Sequence, residues 1–391
     1  MIAIAFPVGS THGWGVCGKY VSRQMNTLTH RGVRLISQPF TLADIGDELE
    51  VQAIQSMLLR PEDSRTAKNI NGISHLPMPL LAAIVDKQLT PWAPAVRGSK
   101  TVGYTFFEDN ILEPAWMENG RRNFDLITTG STWCTQVLKQ NGLENVHTVV
   151  QGIDPTLFFP WPKESPSPRE YFQDRFVIFS GGKFELRKGQ DLVIRAVKVL
   201  QDRHPDVFFI NAWFNPWQQS VDSMRGSPYL RWPAVTGTFV DVINRLLSEN
   251  GMDLSRALTL GPRGNALTPR IYRNTDIGVF PNRCEGGTNL VLMEYMACGK
   301  PVLASASTGH ADIVRPENAL VIRNKPEEAV INGPSGPIAR WPEPDLDDII
   351  DKLEWAYQHR GEIAALGEQA GADLARHTWK KTAEEFLKLL T

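Results

Sequence analysis

The feature that most constrains this chain is a pattern that runs twice. Ile2–Phe6 is a short apolar run, followed by a Gly-rich loop (Gly9, Gly13, Gly15, Gly18), a helix near Lys19–Arg31 and a second run at Val33–Ser37. This is a βαβ opening, the unit from which parallel sheets with helical faces are built. Thr101–Phe106, Leu126–Thr129 and Val146–Val150 continue the series. Prolines at 155, 160, 162, 166 and 168 then interrupt it, as an interdomain linker does. At Arg175–Ser180 the pattern starts again. Gly181-Gly182 makes a turn, Gln190–Arg203 an amphipathic helix, and Val207–Ala212, Leu258–Leu260, Ile277–Phe280 and Pro301–Ala304 are strands. A polar and aromatic insertion lies near Asn215–Trp232, and the tail reads as helices over Asp345–Gln358, Gly361–Ala375 and Thr378–Leu390.

The expected fold class is therefore α/β: two Rossmann-like doubly wound domains facing a central cleft, with the C-terminal helix crossing back to the N-terminal domain. The boundaries expected are 1–160, a linker at 161–172, a second domain at 173–375 and the crossover helix at 376–391. A length of 391 residues exceeds one typical core and suits such a division. Ligands of open α/β sheets bind outside the carboxyl ends of the strands, so both Gly-rich loops should point into the cleft.

Composition excludes several classes. A formal charge of −2 gives no global field toward nucleic acid or an anionic membrane. Cys17, Cys134, Cys284 and Cys298 form no CxxC pair, so neither a disulfide framework nor a zinc site is indicated. A cytoplasmic protein is expected, with peripheral contact at the inner face of the membrane left open. Met1–Val8 has no basic flank and reads as a buried first strand rather than a leader.

The segment from Asp276 to Pro301 carries the chemistry. A strand runs into the polar turn Glu285-Gly-Gly-Thr-Asn289, which opens a helix that Gly299 and Pro301 end. Such a turn offers free backbone N–H groups and a helix N-terminus at a strand end, which suits a phosphate. Gly286, Gly287, Thr288 and Asn289 are the candidate donors of those bonds. Leu290 to Ala297 is apolar almost all round, so Glu294 is expected to be buried. A buried carboxylate needs hydroxyl donors, and two ribose hydroxyls would serve. Solvent exposure is the plain reading of Glu285. After the first strand of the second repeat, Gly182, Lys183 and Lys188 leave a strand end beside a helix start, where two ammonium groups suit one dianion. No Walker pattern is present.

Gly13-Trp-Gly15-Val-Cys-Gly18 matches GxGxxG, but the second strand ends Ser37-Gln38-Pro39 without the acid a dinucleotide site requires. A tight turn or a loop approaching a diphosphate fits it better. His12 in that loop, and His310 after the last strand, are candidates to line the cleft. Trp14, Trp92 and Trp116 are large enough to stack on a sugar, though core packing is the ordinary use of each. Asp345-Leu-Asp347 has the spacing of a metal motif, but it follows Pro344 at a helix start, where acids favour the macrodipole.

These residues resemble the GT-B glycosyltransferases, in particular the large retaining family of sugar-nucleotide enzymes called family 4. The resemblance covers most of the chain. It rests on the two-glutamate segment and the Gly182-Lys…Lys188-Gly189 segment, supported by Ser131-Thr-Trp133, Gly152-Ile-Asp154, Leu260-Gly261 and Gly299-Lys-Pro-Val. It implies that Lys183 and Lys188 hold a donor diphosphate, that Glu294 holds the ribose and that Glu285 lies near the donor sugar. Arg263 would sit near the base, with the N-terminal domain holding the acceptor. Two departures stand out. The family has seven residues between the acids and this chain has eight, so the turn must absorb one. The family's histidine after an N-terminal strand is also absent; the stretch reads Gly103-Tyr-Thr-Phe-Phe-Glu108-Asp109, which leaves Glu108 as the candidate in its place.

The expected function is metal-independent transfer of a sugar from a UDP- or GDP-sugar to a hydroxyl of a glycan, lipid-linked or other acceptor, with retention. No cofactor is expected beyond the nucleotide-sugar substrate. Two alternatives remain open: another GT-B sugar-nucleotide enzyme, such as an epimerase or glucan synthase, and a non-catalytic glycan- or nucleotide-binding protein on the same scaffold.

Overall fold

The computed structural model describes residues 1–36, 45, 47–60, 63, 67–162, 169, 171, 172, 174–233, 237–334 and 336–391. The expected strand end Ser37-Gln38-Pro39, and Pro166 and Pro168 of the expected linker, lie outside them.

The first half forms one parallel sheet of six strands: β1 (Ile2–Ala5), β2 (Val33–Leu35), β3 (Leu80–Ile84), β4 (Thr101–Thr105), β5 (Leu126–Thr129) and β6 (Val146–Thr148), in the order β2-β1-β3-β4-β5-β6. The second half forms another, from β7 (Phe176–Gly182), β8 (Val207–Trp213), β9 (Ala257–Thr259), β10 (Ile277–Phe280), β11 (Val302–Ser305) and β12 (Leu320–Ile322), in the order β9-β8-β7-β10-β11-β12. The central strands are buried on both faces, as strands covered by helices must be. The order in which strands are added to the second sheet reverses at β7, whose other side is taken by β10 in a parallel pair through Ile178 and Ile277. A crevice opens outside the carboxyl ends of strands at such a switch point. The loops that leave it there are Gly182–Lys188 and Asn282–Asn289.

The helix expected near Lys19–Arg31 starts earlier, at Gly13, and ends at Leu28. Gly13, Gly15 and Gly18 therefore lie in the helix rather than in a loop. Close packing is the reason: a Cβ on Gly18 would stand 1.9 Å from Pro7 O, and one on Gly15 would stand 2.9 Å from Gly9 N. The helix can lie against the end of β1 only with glycine at these two positions.

The last helix, Trp379–Leu390, crosses back to the first sheet. Trp379 stacks on Tyr20 at 5.5 Å and Phe386 meets Tyr104 edge-on at 4.8 Å. Gly152 admits the returning chain, since a Cβ there would lie 2.2 Å from Trp379 N.

Strand β3 was not foreseen, and neither was a hairpin. An antiparallel hairpin, β13 (Asn324–Gly333) and β14 (Gly336–Pro344), leaves the second sheet and reaches the first half of the chain. Asn110 bonds both backbone groups of Arg340 at 2.9 Å, Ile111 N donates to Ile338 O (3.1 Å), and the Trp341 indole donates to Glu108 O (2.9 Å). Among the described residues no helix is long and apolar enough to cross a membrane.

Candidate active site

The site is built where the turns after β7 and β10 are locked together. After Gly182 the chain makes a short 3-10 turn, Leu186–Lys188, and leaves it through Gly189 at φ 70°. Only glycine fits there, because a Cβ would stand 2.0 Å from Pro281 O. Arg187 O then accepts from Arg283 N (2.8 Å) and Cys284 N (3.2 Å). The two turns therefore present Arg187 and Lys188 directly beside Glu285.

Glu285 is buried, which corrects the plain reading of an exposed turn residue; its side chain is 6% accessible. Lys188 forms an ion pair with one carboxylate oxygen, to which Asn282 also donates, and Arg187 approaches the other at 3.2 Å. Burial alone would push the Glu285 carboxyl up. Lys188 and Arg187 outweigh burial and hold it down at about 2.

Arg187 reaches further. It pairs with Glu185 (2.6 Å) and, across from the first sheet, with Glu108 (3.3 Å). Glu108 therefore stands in a charge cluster rather than alone. Lys183 does not converge with Lys188 on one point. Its ammonium lies 3.7 Å from Glu185 and 4.9 Å above the Trp217 ring, and His12 meets that ring edge-on at 5.5 Å. Three cations and three carboxylates thus balance around the turn.

The turn itself packs against the first sheet's loops. Gly286 O accepts from Ser131 Oγ (2.7 Å) and Cys134 Sγ (3.0 Å). A Cβ on Gly286 would stand 2.5 Å from Phe107 O, and one on Gly287 would stand 3.0 Å from the Phe106 ring. Thr288 bonds Met293 Sδ at 2.9 Å. Asn289 precedes the helix Leu290–Ala297 in a left-handed conformation, φ 63° and ψ 92°.

At the far end of the segment Glu294 is buried, as expected, but it has a different neighbourhood. Its carboxylate accepts from Asn265 Nδ2 at 3.2 Å, and among the described residues no cation pairs with it. Lys19 acts on it only through its charge, because its ammonium is engaged by Ser10 (3.1 Å) and Glu50 (3.2 Å). Burial pushes the Glu294 carboxyl up to about 8, against the smaller opposing effects of Asn265 and Lys19. Asn265 N in turn donates to Ser10 O (3.1 Å), so Glu294 lies at the seam between the two halves.

The remaining expected residues are placed as follows. Arg263 bends back on Gly261 O at 3.2 and 3.1 Å. Gly15 is buried, and Trp14 packs edge-on against Phe6 (5.7 Å), Tyr104 (6.0 Å) and Phe106 (4.7 Å). Trp116 is buried in one core cluster of the first half, and Trp92 packs against another. Asp345 caps its helix by accepting from Asp347 N at 3.1 Å. The four cysteines are free and buried. No three His, Cys, Asp or Glu side chains among the described residues are arranged to hold a metal ion.

Sequence reading missed Arg187 and Arg283. Arg283 is buried and donates paired bonds to Asp191 (2.8 and 2.9 Å) and to Glu343 of the hairpin (2.6 and 2.8 Å). Both arginines sit in strand-end turns beside a residue that had been singled out, and that adjacency was the available signal.

Residues 239–333, which span β9 to β12 and both glutamates, match the family model described as "Glycosyl transferases group 1". The chain is similar to the GDP-mannose-dependent alpha-(1-6)-phosphatidylinositol monomannoside mannosyltransferase of Mycolicibacterium smegmatis, with 29% identity over 42% of this chain and 39% of that one. It is also similar to the D-inositol 3-phosphate glycosyltransferase of Stackebrandtia nassauensis, with 28% identity over 62% of this chain and 48% of that one. The chain thus spans less than half the length of these two curated relatives in the matched regions. Among solved structures, sucrose-phosphate synthase from Thermosynechococcus elongatus superposes with a TM-score of 0.64 at 14% identity, covering 99% of this chain and 97% of that one. Anabaena HepE in complex with UDP-glucose superposes with a TM-score of 0.64 at 16% identity, covering 100% and 98%. The chain has the GT-B fold of these structures, and its residues 239–333 resemble the glycosyl transferases group 1 family.

Proposed function

We propose that this protein transfers a sugar from a nucleotide-sugar donor to an acceptor hydroxyl with retention of anomeric configuration. The single observation that carries the reading is the contrast within one turn and helix. Glu285 is compensated by Lys188 and Arg187, whereas Glu294 is buried with one amide donor and an upward-shifted carboxyl. A ribose diol supplies the donors that Glu294 lacks. Lys188 and the free amides at the start of the helix then face the diphosphate, with Lys183 beside them and Arg263 near the base. The relatives' names carry GDP-mannose in one case and D-inositol 3-phosphate in another, and UDP-glucose stands in the solved complex. We take the donor class here as a UDP- or GDP-sugar.

The chemistry follows from charge. Breaking the anomeric bond builds negative charge on the departing diphosphate and positive charge on the sugar ring. Lys188 and the helix N-terminus are fixed in a buried site and stabilise the first at no cost of reorganisation. The diphosphate competes with Glu285 for Lys188, which frees the Glu285 carboxylate to orient the sugar hydroxyls. Close packing of Phe106 and Phe107 on the turn excludes water from the reacting atoms.

Calorimetry and thermal shift with UDP-, GDP- and ADP-sugars test the reading. Saturable binding of one nucleotide class is expected, and acceptor-dependent nucleotide release would exclude the binding-protein alternative. Failure of all three nucleotides to bind would overturn it. Lys188→Ala should slow turnover more than it weakens donor binding, because the diphosphate charge grows in the transition state.

A further inference from the structure

The loop from Glu285 to Asn289 is held at both ends by three consecutive residues that follow β11. Thr308 Oγ1 accepts from Glu285 N (2.9 Å), and Gly309 N donates to Glu285 O (2.9 Å). Gly309 lies so close that a Cβ there would stand 1.7 Å from Gly287 O, and no other residue fits. His310 holds the other end. Its ring is fully buried, with Nδ1 3.1 Å from Ser305 O and Nε2 3.2 Å from Asn289 Nδ2. A carbonyl oxygen only accepts, so Nδ1 carries the proton and Nε2 accepts from the Asn289 amide.

Asn289 is the residue that needs holding. Its φ of 63° and ψ of 92° lie where residues with a Cβ are strained, and such a conformation persists only when its surroundings fix it. It is also the last residue before the helix Leu290–Ala297, whose first amides have no partner within the helix. A different backbone conformation at Asn289 would turn those amides away from the crevice at the switch point.

We propose that His310 is a positioning residue for the donor diphosphate: by bonding Asn289 it fixes the left-handed turn that aims the helix amides at the anion. The proposal rests on the donor-site reading given above. His310 touches no substrate and acts through the backbone of the turn. It would thereby let this chain carry eight residues between its two acids.

The test is a double-mutant cycle read by calorimetry with UDP and GDP as probes. His310→Leu fills similar space without an acceptor and should raise the nucleotide Kd about 10-fold in the natural background. In an Asn289→Gly background, where glycine adopts positive φ unaided, the same change should cost less than about 2-fold. His310→Gln keeps an acceptor and should recover most of the affinity, which also serves if the leucine variant does not fold. Equal factors in both backgrounds, or natural affinity in His310→Leu, would overturn the proposal while leaving the donor reading intact. If the natural protein binds neither nucleotide, the donor reading fails and this inference with it.

Discussion

Glu285 and Glu294 stand at the two ends of one turn and helix, and the protein treats them in opposite ways. Glu285 receives two cations and an amide, and its carboxyl is held down at about 2. Glu294 receives one amide and its carboxyl is pushed up to about 8. Both are buried, so burial does not separate them. The difference lies in whether the fold supplies the compensating charge. Where it does, the acid contributes to the folded state. Where it does not, the acid is a cost that a ligand with hydroxyl donors relieves. In the proposed function the first acid would then serve structure and positioning, and the second recognition of the donor.

The largest effect that would break this comparison is on Glu285. Glu285→Ala removes the shared partner of Lys188 and Arg187 and leaves buried cations, so urea unfolding should show a loss of about 3–5 kcal/mol. Replacing Glu285 and Lys188 together by Leu and Met should cost less than the sum of the single changes, since no charge is stranded. A single change without effect on stability would show that the cluster does not compensate the acid.

Glu294 should behave in the reverse sense. Its folded pKa lies above the ordinary value of 4.5, so its contribution to stability is full below 4.5 and is lost as pH rises toward about 8. Glu294→Gln cannot ionise in the unfolded chain and should remove that decline. At pH 8 the variant should be more stable than the natural protein by on the order of 1–3 kcal/mol, while donor affinity falls about 10-fold. Unfolding curves recorded from pH 5 to pH 8 decide the matter: parallel pH profiles for the two proteins would refute the assignment. Glu285 has the opposite sign. Its depressed pKa stabilises the fold above 4.5, and that contribution is lost as pH falls toward about 2.

Much of this was legible in the residues. The doubly wound halves followed from a repeated strand–helix pattern, and the burial of Glu294 followed from the apolar residues around it. Other features were not legible, for identifiable reasons. β3 (Leu80–Ile84) is a short buried run, Leu-Leu-Ala-Ala-Ile, whose periodicity does not separate strand from helix. The hairpin carries Pro326, Pro337, Pro342 and Pro344, which argue against a strand interior but are tolerated in a two-stranded ribbon, where each strand is an edge. The charge around Glu285 is non-local: Arg187, Glu108 and Asn282 come from three separate segments. Sequence adjacency pairs none of them with Glu285 except Asn282.

A second acid pair completes the contrast at the smallest scale. Asp345 and Asp347 have a spacing that suggests a metal, yet Asp345 is used locally. Arg323 pairs with it at 2.7 Å and holds its carboxyl below the ordinary value, while the same side chain caps the helix Leu346–Gln358 through Asp347 N. Both partners are met near the surface, where an ion pair contributes little and the cap carries most of the effect. Asp345→Ala should therefore cost about 1 kcal/mol in urea unfolding, and nucleotide binding should stay within about 2-fold of the natural protein. Added Mg2+ or Mn2+ should leave the melting temperature of both proteins unchanged. A metal-dependent rise that Asp345→Ala abolishes would make this pair a ligand site and end its use as the neutral member of the comparison.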